Sequence, residues 1–179
     1  MTHRNDPLKV EPPKALPYNA RMDKQLLINC VIAQLKDMLE HAQQAAEEAH
    51  KGATHDQSKA ETQYDTLGLE HAYLAEGQAK RIKELKSQVT HFNQFPIKAF
   101  SEDDPIYLGA LVSLVNTHNQ QTLMVFLAPC AGGEQVEMDG KTVQLISPNS
   151  PLTQGLLGLY AGDECKLESG QVFEIITIE

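Results

Sequence analysis

Tryptophan is absent from this sequence, aromatic residues make up only 6% of it, and its 179 residues contain no long apolar run. A bilayer-spanning helix needs about 20 mostly apolar residues, so no membrane span is predicted. The N-terminal stretch is charged and proline-rich, which does not fit a secretory signal and favours the cytoplasm. The shortage of large aromatic residues predicts modest cores with much exposed surface.

Cysteine is also scarce. The three cysteines, Cys30, Cys130 and Cys165, are far apart, and no CxxC pair occurs. This spacing argues against a zinc site and against a disulfide framework. We expect reduced, partly buried thiols, because a free cysteine packs as a small hydrophobic residue.

Positive charge is scarce in the second half of the chain. Residues 97–179 carry 3 Lys and Arg against 11 Asp and Glu, whereas residues 1–96 carry 12 against 13. The acidic half would repel a phosphate backbone, so direct DNA binding by it is not predicted. A basic protein surface is a better partner, although the same charge could serve solubility alone.

The first part of the chain predicts a proline-rich arm and then a helical hairpin. Residues 1–20 contain four prolines, which disfavour regular structure. Residues 21–92 predict two antiparallel helices joined by a polar turn at 51–61, with a second helix over about 66–89. The first helix has a coiled-coil seam of Ile28, Val31, Leu35, Met38, Ala42, Ala45 and Ala49. A less regular seam in the second helix consists of Leu67, Leu74, Gln78, Ile82, Leu85 and Val89.

The second part predicts a small β domain after a linker at 93–105. Strand patterns occupy 106–116, 122–129, 141–147 and 171–179, and Met138-Asp139-Gly140 predicts a turn. Ser150 and Pro151 predict the start of a short helix that ends at Gly158. The fold class is therefore α+β, with a helical hairpin followed by an antiparallel sheet over 106–179.

Residues 146–179 contain a linked set of short motifs: a helix start, a helix end, a turn and a closing strand. The residues of this set are Ser150, Pro151, Leu152, Leu156, Leu157, Gly158, Gly162, Asp163, Phe173, Glu174 and Ile175. The set resembles the C-terminal domain of the Gre transcript-cleavage factors. That domain has a Ser-Pro-(Ile/Leu) start, a short helix ending in leucines and glycine, a (Val/Ala)-Gly-Asp-Glu turn and a closing strand.

The resemblance implies an FKBP-like C-terminal domain behind an antiparallel coiled coil, covering roughly residues 21–179. It implies a monomeric cytoplasmic factor that binds bacterial RNA polymerase, inserts its hairpin in the secondary channel and has no cofactor of its own. Such a factor is not an enzyme; it stimulates the polymerase's own cleavage of backtracked RNA at the polymerase Mg²⁺ site. The polymerase-binding residues that the resemblance implies are Ser150, Pro151, Leu152, Gly162 and Asp163.

Acidic residues lie where the tip of the hairpin is predicted. A two-metal site needs oxygen ligands for each ion and a positioned water. Asp56, Glu61 and Asp65 are the candidate carboxylates. If the second helix begins early, at or before residue 61, Glu61 and Asp65 share a helical face as candidate ligands of the polymerase Mg²⁺. The compact Asp-Leu-x-Glu-Asn tip of the family is absent. These acids could instead be solvated charges at a loop and a helix start.

Two other functions remain open. The altered tip is compatible with a factor that occupies the channel without supporting cleavage and so inhibits or modulates the polymerase. An FKBP-like fold is also compatible with a prolyl isomerase or chaperone, which would need an aromatic-lined pocket. The aromatic residues available to the second domain are Phe100, Tyr107, Phe126, Tyr160 and Phe173.

Overall fold

The computed structural model describes residues 21–54, 67–101 and 103–179, but not the side chains of 52–54, 67–69 and 71–72. The helices are α1 (Lys24–Thr54), α2 (Leu67–Gln94) and α3 (Pro151–Leu156). The strands are β1 (Leu111–Asn116), β2 (Thr122–Leu127), β3 (Gln135–Met138), β4 (Lys141–Ile146), β5 (Glu164–Lys166) and β6 (Val172–Ile178). Within these parts, none of the helices has an apolar stretch that could cross a lipid bilayer.

The strands form one mixed sheet with the order β3-β4-β2-β1-β6-β5. The prediction of a purely antiparallel sheet is wrong, because β2 and β4 pair in parallel. The reason is topological: β3 forms an antiparallel hairpin with β4, so that β4 runs in the direction of β2 when it lies beside it. The short strands β3 and β5 were not predicted, and the sheet does not by itself identify the domain as FKBP-like.

The turns explain where strands begin. The predicted turn at Met138-Asp139-Gly140 is confirmed, because Asp139 and Gly140 have φ values of 52° and 71° and Met138 pairs with Lys141. Two consecutive residues with positive φ form the tight turn that matches strand twist. The strand predicted from residue 106 begins only at Leu111, because the amide of Ala110 donates to the Tyr107 carbonyl at 3.0 Å and closes a turn.

The helix α1 follows its predicted seam. Asp23 caps its first turn, since its carboxylate accepts from the amides of Gln25 and Leu26 at 2.9 and 3.1 Å. The early seam residues are buried and the late alanines are partly buried, so the coiled-coil prediction for this helix is confirmed. Helix α1 continues to Thr54, into the segment predicted as a turn.

In the part of α2 whose side chains are described, the seam differs from the prediction at Leu74; the predicted seam residue Leu67 lies outside that part. Leu74 is 56% exposed, whereas Ala75 is half-buried, so the seam at this end of the helix passes through Ala75. Leu85 is fully buried, and Phe92 continues the seam beyond the predicted end of the helix. Helix α2 reaches Gln94 and stops before Pro96, which has no amide hydrogen to donate.

The sheet has an apolar cluster on each face. One cluster joins the sheet to the hairpin and contains Leu27, Ile28, Val31, Leu35, Leu85, Phe92, Leu111, Phe126, Val136, Met138, Val143 and Leu145. The other packs beneath α3 and contains Ile106, Val112, Leu114, Val125, Leu127, Leu156, Cys165, Phe173, Ile175 and Ile178. Since the start of α1 and the end of α2 share the first cluster, the two helices are antiparallel.

Only the base of the hairpin lies on the sheet. Leu27, Ile28, Val31 and Leu35 are no more than 3% exposed. Beyond Leu39, Ala42 is the last buried residue in the described part of α1. At ~1.5 Å per residue, the remaining helix extends by roughly 20 Å with α2 as its neighbour. The hairpin is therefore a rod attached at one end.

Candidate functional site

The rod is attached to the sheet through a polar joint as well as through apolar packing. Lys24 is 9% exposed, and its ammonium donates to the carbonyls of Lys98 and, at 3.2 Å, Gly109. The same ammonium lies 4.5 Å from the ring centroid of Phe100. Burial lowers the pKa of Lys24 from 10.5 to about 8, with a smaller contribution from the charge of Arg21.

Two further bonds tie the start of α1 to distant parts of the chain. The guanidinium of Arg21 donates to the Phe100 carbonyl, and the amide of Met22 donates to the Glu179 carboxylate at 2.8 Å. An open cleft of about 420 Å³ lies between these residues and Ile97. The joint therefore fixes the first turn of α1 against the linker and the last strand, which sets the direction of the rod.

The predicted tip carboxylates Asp56, Glu61 and Asp65 lie outside the described residues. The helix ends at Thr54 and Leu67 flank the segment 55–66 that contains them. No group of three metal-ligating side chains occurs in the described parts of the chain. The role of the tip carboxylates, including a role for Glu61 and Asp65 as metal ligands, therefore stays a prediction.

The described part of the rod near this end is charged. The Lys51 ammonium pairs with the Glu47 carboxylate at 2.8 Å, and both side chains are exposed. This hydrogen bond raises the pKa of Lys51 and lowers that of Glu47. The pair is one helical turn apart and contributes little to stability in solvent.

The helix α2 carries a cluster of cations that was not singled out from the sequence. Its members are Lys80, Arg81, Lys83 and Lys86, and none of the four pairs with a carboxylate in the described parts of the chain. The signal was available as four basic residues within two helical turns. Unpaired cations on a projecting helix favour contact with a polyanion.

The predicted polymerase-binding residues Ser150, Pro151 and Leu152 start α3. The Ser150 hydroxyl oxygen accepts from the Thr153 amide at 3.1 Å, which satisfies a free donor at the helix start. Pro151 is exposed at the first helical position, and Leu152 packs partly against the cluster beneath α3. Ser150 and Leu152 therefore have clear structural tasks, and Pro151 is the one most open to a partner.

The predicted binding residues Gly162 and Asp163 form the turn before β5. Gly162 has a φ of 89°, and its amide donates to the Ile175 carbonyl at 2.7 Å. The Asp163 carboxylate accepts from the Tyr160 amide at 2.8 Å. This turn brings β5 beside β6, so both residues shape the surface that includes Tyr160.

A set of exposed apolar side chains lies next to these motif residues and was not predicted. We define the apolar patch as Tyr107, Leu108, Leu157 and Tyr160, which are 57%, 38%, 42% and 46% exposed. No sequence pattern identifies the patch, because it joins two segments that are far apart in the chain.

The aromatic residues of the second half do not gather around one pocket. Phe126 is buried on the hairpin face of the sheet and Phe173 on the other face, while Phe100 lies under Lys24. Tyr107 and Tyr160 are exposed. This distribution gives no support to a proline-binding pocket among the described residues.

Two of the cysteines, Cys130 and Cys165, are not activated as nucleophiles. Burial raises the pKa of Cys130 and of Cys165. A raised pKa keeps a thiol protonated, whereas a nucleophile needs the thiolate. All three cysteines are free.

No family model matches the chain, and no curated protein matches it. Among solved structures, GreA factor homolog 1 (Gfh1) of Thermus thermophilus is similar at 21% identity over 83% of this chain and 94% of that chain, with a TM-score of 0.36. A structure of the transcription factor Gfh1 is similar at 23% identity over 84% and 94%, with a TM-score of 0.35.

The Gfh1 of Thermus aquaticus is also similar, at 21% identity over 82% of this chain and 92% of that chain, with a TM-score of 0.34. At scores and identities this low, the three likenesses do not establish a family for the chain.

Proposed function

We propose that this chain is a cytoplasmic, monomeric factor that binds bacterial RNA polymerase and inserts its hairpin in the secondary channel. The observation that carries the proposal is the rod: a two-helix hairpin held at its base and extended well beyond the sheet. A hairpin of this length buries little surface along its distal half, so its length is best explained by reach. The Gre-like motif over residues 146–179 supplies the identity of the partner.

The charges of the molecule fit this arrangement. The acidic second half suits a basic protein surface at the channel entrance. The cation cluster on α2 suits an environment that contains RNA phosphates. In the proposed complex the base therefore contacts protein and the rod approaches nucleic acid.

The chemical task of the rod is to deliver carboxylates. In the proposed complex, Glu61 and Asp65 help to hold the second Mg²⁺ of the polymerase site and orient the attacking water, with Asp56 beside them. The polymerase performs the hydrolysis of backtracked RNA, so the factor is not an enzyme. Ser150, Pro151, Leu152, Gly162 and Asp163 belong to the docking base, directly or by shaping it.

A second candidate is a factor that occupies the channel without stimulating cleavage. The observation in its favour is the tip sequence DQSKAETQYDTLGLE, which lacks the compact acidic motif of the family and contains Lys59 among the acids. Such a factor would inhibit or modulate the polymerase by occupying the route to its active site.

The two candidates are separated by RNA cleavage in a stalled elongation complex. We expect the unmutated protein to stimulate cleavage, and Glu61→Ala and Asp65→Ala to lose most of that stimulation while binding normally. Glu40→Ala is the matched control, because Glu40 is an exposed acid on the same rod, away from the tip. Binding without stimulation would favour the second candidate, and failure to bind polymerase would exclude both.

A further inference from the structure

The described chain begins beside the apolar patch. Residue 21 is the first that the structure describes. The guanidinium of Arg21 donates to the Phe100 carbonyl, and the ammonium of Lys24 donates to the Gly109 carbonyl at 3.2 Å. Gly109 directly follows Leu108 of the patch. Residues 1–20, which the sequence predicts to be a proline-rich arm and which lie outside the described residues, are therefore attached to the folded domain next to this surface.

The attachment point is fixed, so the length of the arm sets its reach. The amide of Met22 donates to the Glu179 carboxylate at 2.8 Å, which holds the start of the described chain on the last strand. An extended proline-rich chain rises about 3.1 Å per residue, so residues 12–20 alone can span roughly 28 Å. A segment tethered this closely has an effective concentration on the order of millimolar at the patch.

The patch is held in shape by backbone hydrogen bonds between two distant segments. The amide of Ile106 donates to the Leu159 carbonyl at 2.8 Å, and the amide of Gly158 donates to the Ile106 carbonyl at 2.9 Å. This pairing places Tyr107 beside the segment that contains Tyr160. A preorganised surface loses little conformational entropy on binding, so even a short peptide can bind to it.

The residues that precede the attachment point match the composition of the patch. Residues 12–20 read PPKALPYNA and contain three prolines, Leu16 and Tyr18. Proline-rich segments dock on aromatic surfaces because their extended conformation costs little entropy to fix. Tyr107 and Tyr160 are 57% and 46% exposed. An open surface of this kind suits a peptide that lies across it, whereas an isomerase needs an enclosing pocket.

The charges of the segment and of the patch are complementary. Residues 12–20 contain Lys14 and no acid. Acidic residues adjoin both segments of the patch in the chain, and Lys166 offsets one of them by pairing with Glu164 at 3.3 Å. These acids are Asp103, Asp104, Asp163 and Glu164. An acidic border attracts a basic segment, which adds to the apolar contact.

We propose that residues 12–20 pack across the apolar patch and shield it in the free protein. The contact is intramolecular: Leu16 and Tyr18 pack on the two tyrosines of the patch, and Lys14 lies by the acidic border. A partner of the patch then has to displace the arm, so the arm limits access to this surface. The contact itself does not depend on the function proposed above.

The test is the shielding of a single tryptophan placed at the patch in the full chain. Because the sequence has no tryptophan, the fluorescence of the Tyr160→Trp variant comes from one site, and its quenching by acrylamide reports the exposure of that site. We expect Leu16→Ser and Tyr18→Ser, made together in this reporter, to raise the quenching constant about 2-fold, because the patch is then uncovered. Lys14→Glu should raise it as well, because the acidic border repels the new carboxylate.

The matched control is a second reporter, Tyr73→Trp. Tyr73 is 65% exposed on α2, in the distal half of the hairpin. We expect the arm substitutions to leave the quenching of this reporter unchanged. Circular dichroism and thermal unfolding check that each variant is folded.

A further measurement addresses the competition, which rests on the function proposed above. The Leu16→Ser, Tyr18→Ser variant should bind RNA polymerase about 3-fold more tightly than the unmutated protein, because a larger fraction of it has an open patch. Fluorescence anisotropy of the labelled full chain measures both affinities.

The possible failures are distinguishable. If the arm substitutions leave the quenching of Tyr160→Trp unchanged, or change both reporters equally, the arm does not cover the patch. If the shielding instead depends on protein concentration, a second copy of the chain covers the patch and the intramolecular contact is wrong. If shielding is lost but polymerase affinity is unchanged, the competition is wrong. If the unmutated protein does not bind polymerase at all, the proposed function fails while the contact stands.

Discussion

The base and the distal half of the hairpin consist of the same two helices, but different forces hold them. At the base, large side chains such as Leu27 and Leu35 are buried between the helices and the sheet. In the distal half the seam of α1 consists of alanines, and α2 exposes Tyr73 and Leu74. Burial of apolar area is the main stabilising term in folding, so most of the stability of the hairpin resides at its base.

This difference shows how one structure can satisfy two demands. The base must hold the rod in a fixed direction, which requires tight packing and specific hydrogen bonds. In the proposed complex the distal half must be narrow, and small seam residues let two helices approach closely. A narrow rod gains little from burial, so it depends on the helix propensity of its sequence and on its attachment.

The largest predicted effect comes from the same substitution, leucine to alanine, at the base and in the distal half of the hairpin. Leu35→Ala should lower the free energy of unfolding by about 3 kcal/mol, because Leu35 is 1% exposed and its loss leaves a cavity. Leu74→Ala should change it by less than about 0.5 kcal/mol, because Leu74 is 56% exposed. Urea denaturation measures both. Equal effects would show that the distal half is packed as tightly as the base.

A second comparison uses the same substitution, glycine to alanine, at two positions where we expect opposite effects on stability. At Gly155 in α3, an added Cβ would lie 2.8 Å from the Cys165 sulfur and 3.2 Å from Leu167, so Gly155→Ala should destabilise the protein by about 1–3 kcal/mol. At Gly77 in α2, an added Cβ would meet no atom within 4 Å in the described parts of the chain, apart from its own helix backbone and chain neighbours. Gly77→Ala should therefore stabilise the helix by about 0.5–1 kcal/mol.

Thermal unfolding of the two alanine variants shows whether each is more or less stable than the unmutated protein. Destabilisation by Gly77→Ala would mean that the distal rod contacts something at this position, contrary to the open space around it.

The smallest effect concerns two lysines, one at each end of α1. The folded-state pKa of Lys24 is lowered to about 8, so between pH 8 and 10.5 the unfolded chain holds a proton that the folded protein has lost. Relative to Lys24→Met, the unmutated protein should therefore gain stability as the pH rises through this window. The gain should not exceed ~1.4 kcal/mol per pH unit, because a single proton is linked to folding at this site.

The control for this pH dependence is Lys51→Met. Lys51 is exposed, and its hydrogen bond to Glu47 raises its pKa, so it stays charged across the window. In denaturation experiments, the difference in unfolding free energy between Lys51→Met and the unmutated protein should not change between pH 7.5 and 9.5. If the difference in unfolding free energy between the unmutated protein and Lys24→Met does not change with pH, the assignment of a buried ammonium at the joint is wrong. If the corresponding difference for Lys51→Met changes, Lys51 does not stay charged across the window.

The sequence was sufficient for elements with strong local patterns. The seam of α1 repeats large residues at three- and four-residue spacing, and the last strand alternates Phe173 and Ile175 inward with Glu174 outward. The start of α3 was predictable because a capping serine followed by proline has a local physical reason. These elements depend on few distant contacts.

Non-local features could not be predicted in this way. The strand β3 has only two inward residues, Val136 and Met138, and β5 is three residues long. In both, the alternation of apolar and polar residues is too short to predict a strand from the sequence. The parallel pairing of β2 with β4 depends on the whole sheet. Leu74 fits the seam by spacing, but the partner helix does not cover it.

The candidate site was predictable only in part. The acids of the tip can be named from the sequence, but their geometry lies outside the described residues and stays a prediction. The apolar patch requires the pairing of Ile106 with Gly158 and Leu159, which no local pattern reveals. The burial of Lys24 was equally hidden, because lysine at the start of a helix is normally solvated.

The helical hairpin and the sheet on which its base packs are far apart in the sequence, which has a consequence for biosynthesis. The Gln34 amide contacts the Glu134 carboxylate at 3.2 Å, across 100 residues of chain. During translation the leucines of the first helix leave the ribosome long before the strands that cover them exist. Until then the apolar face of the first helix can be covered only by the second helix. The nascent chain should therefore be most prone to aggregation, and most dependent on chaperones, in that interval.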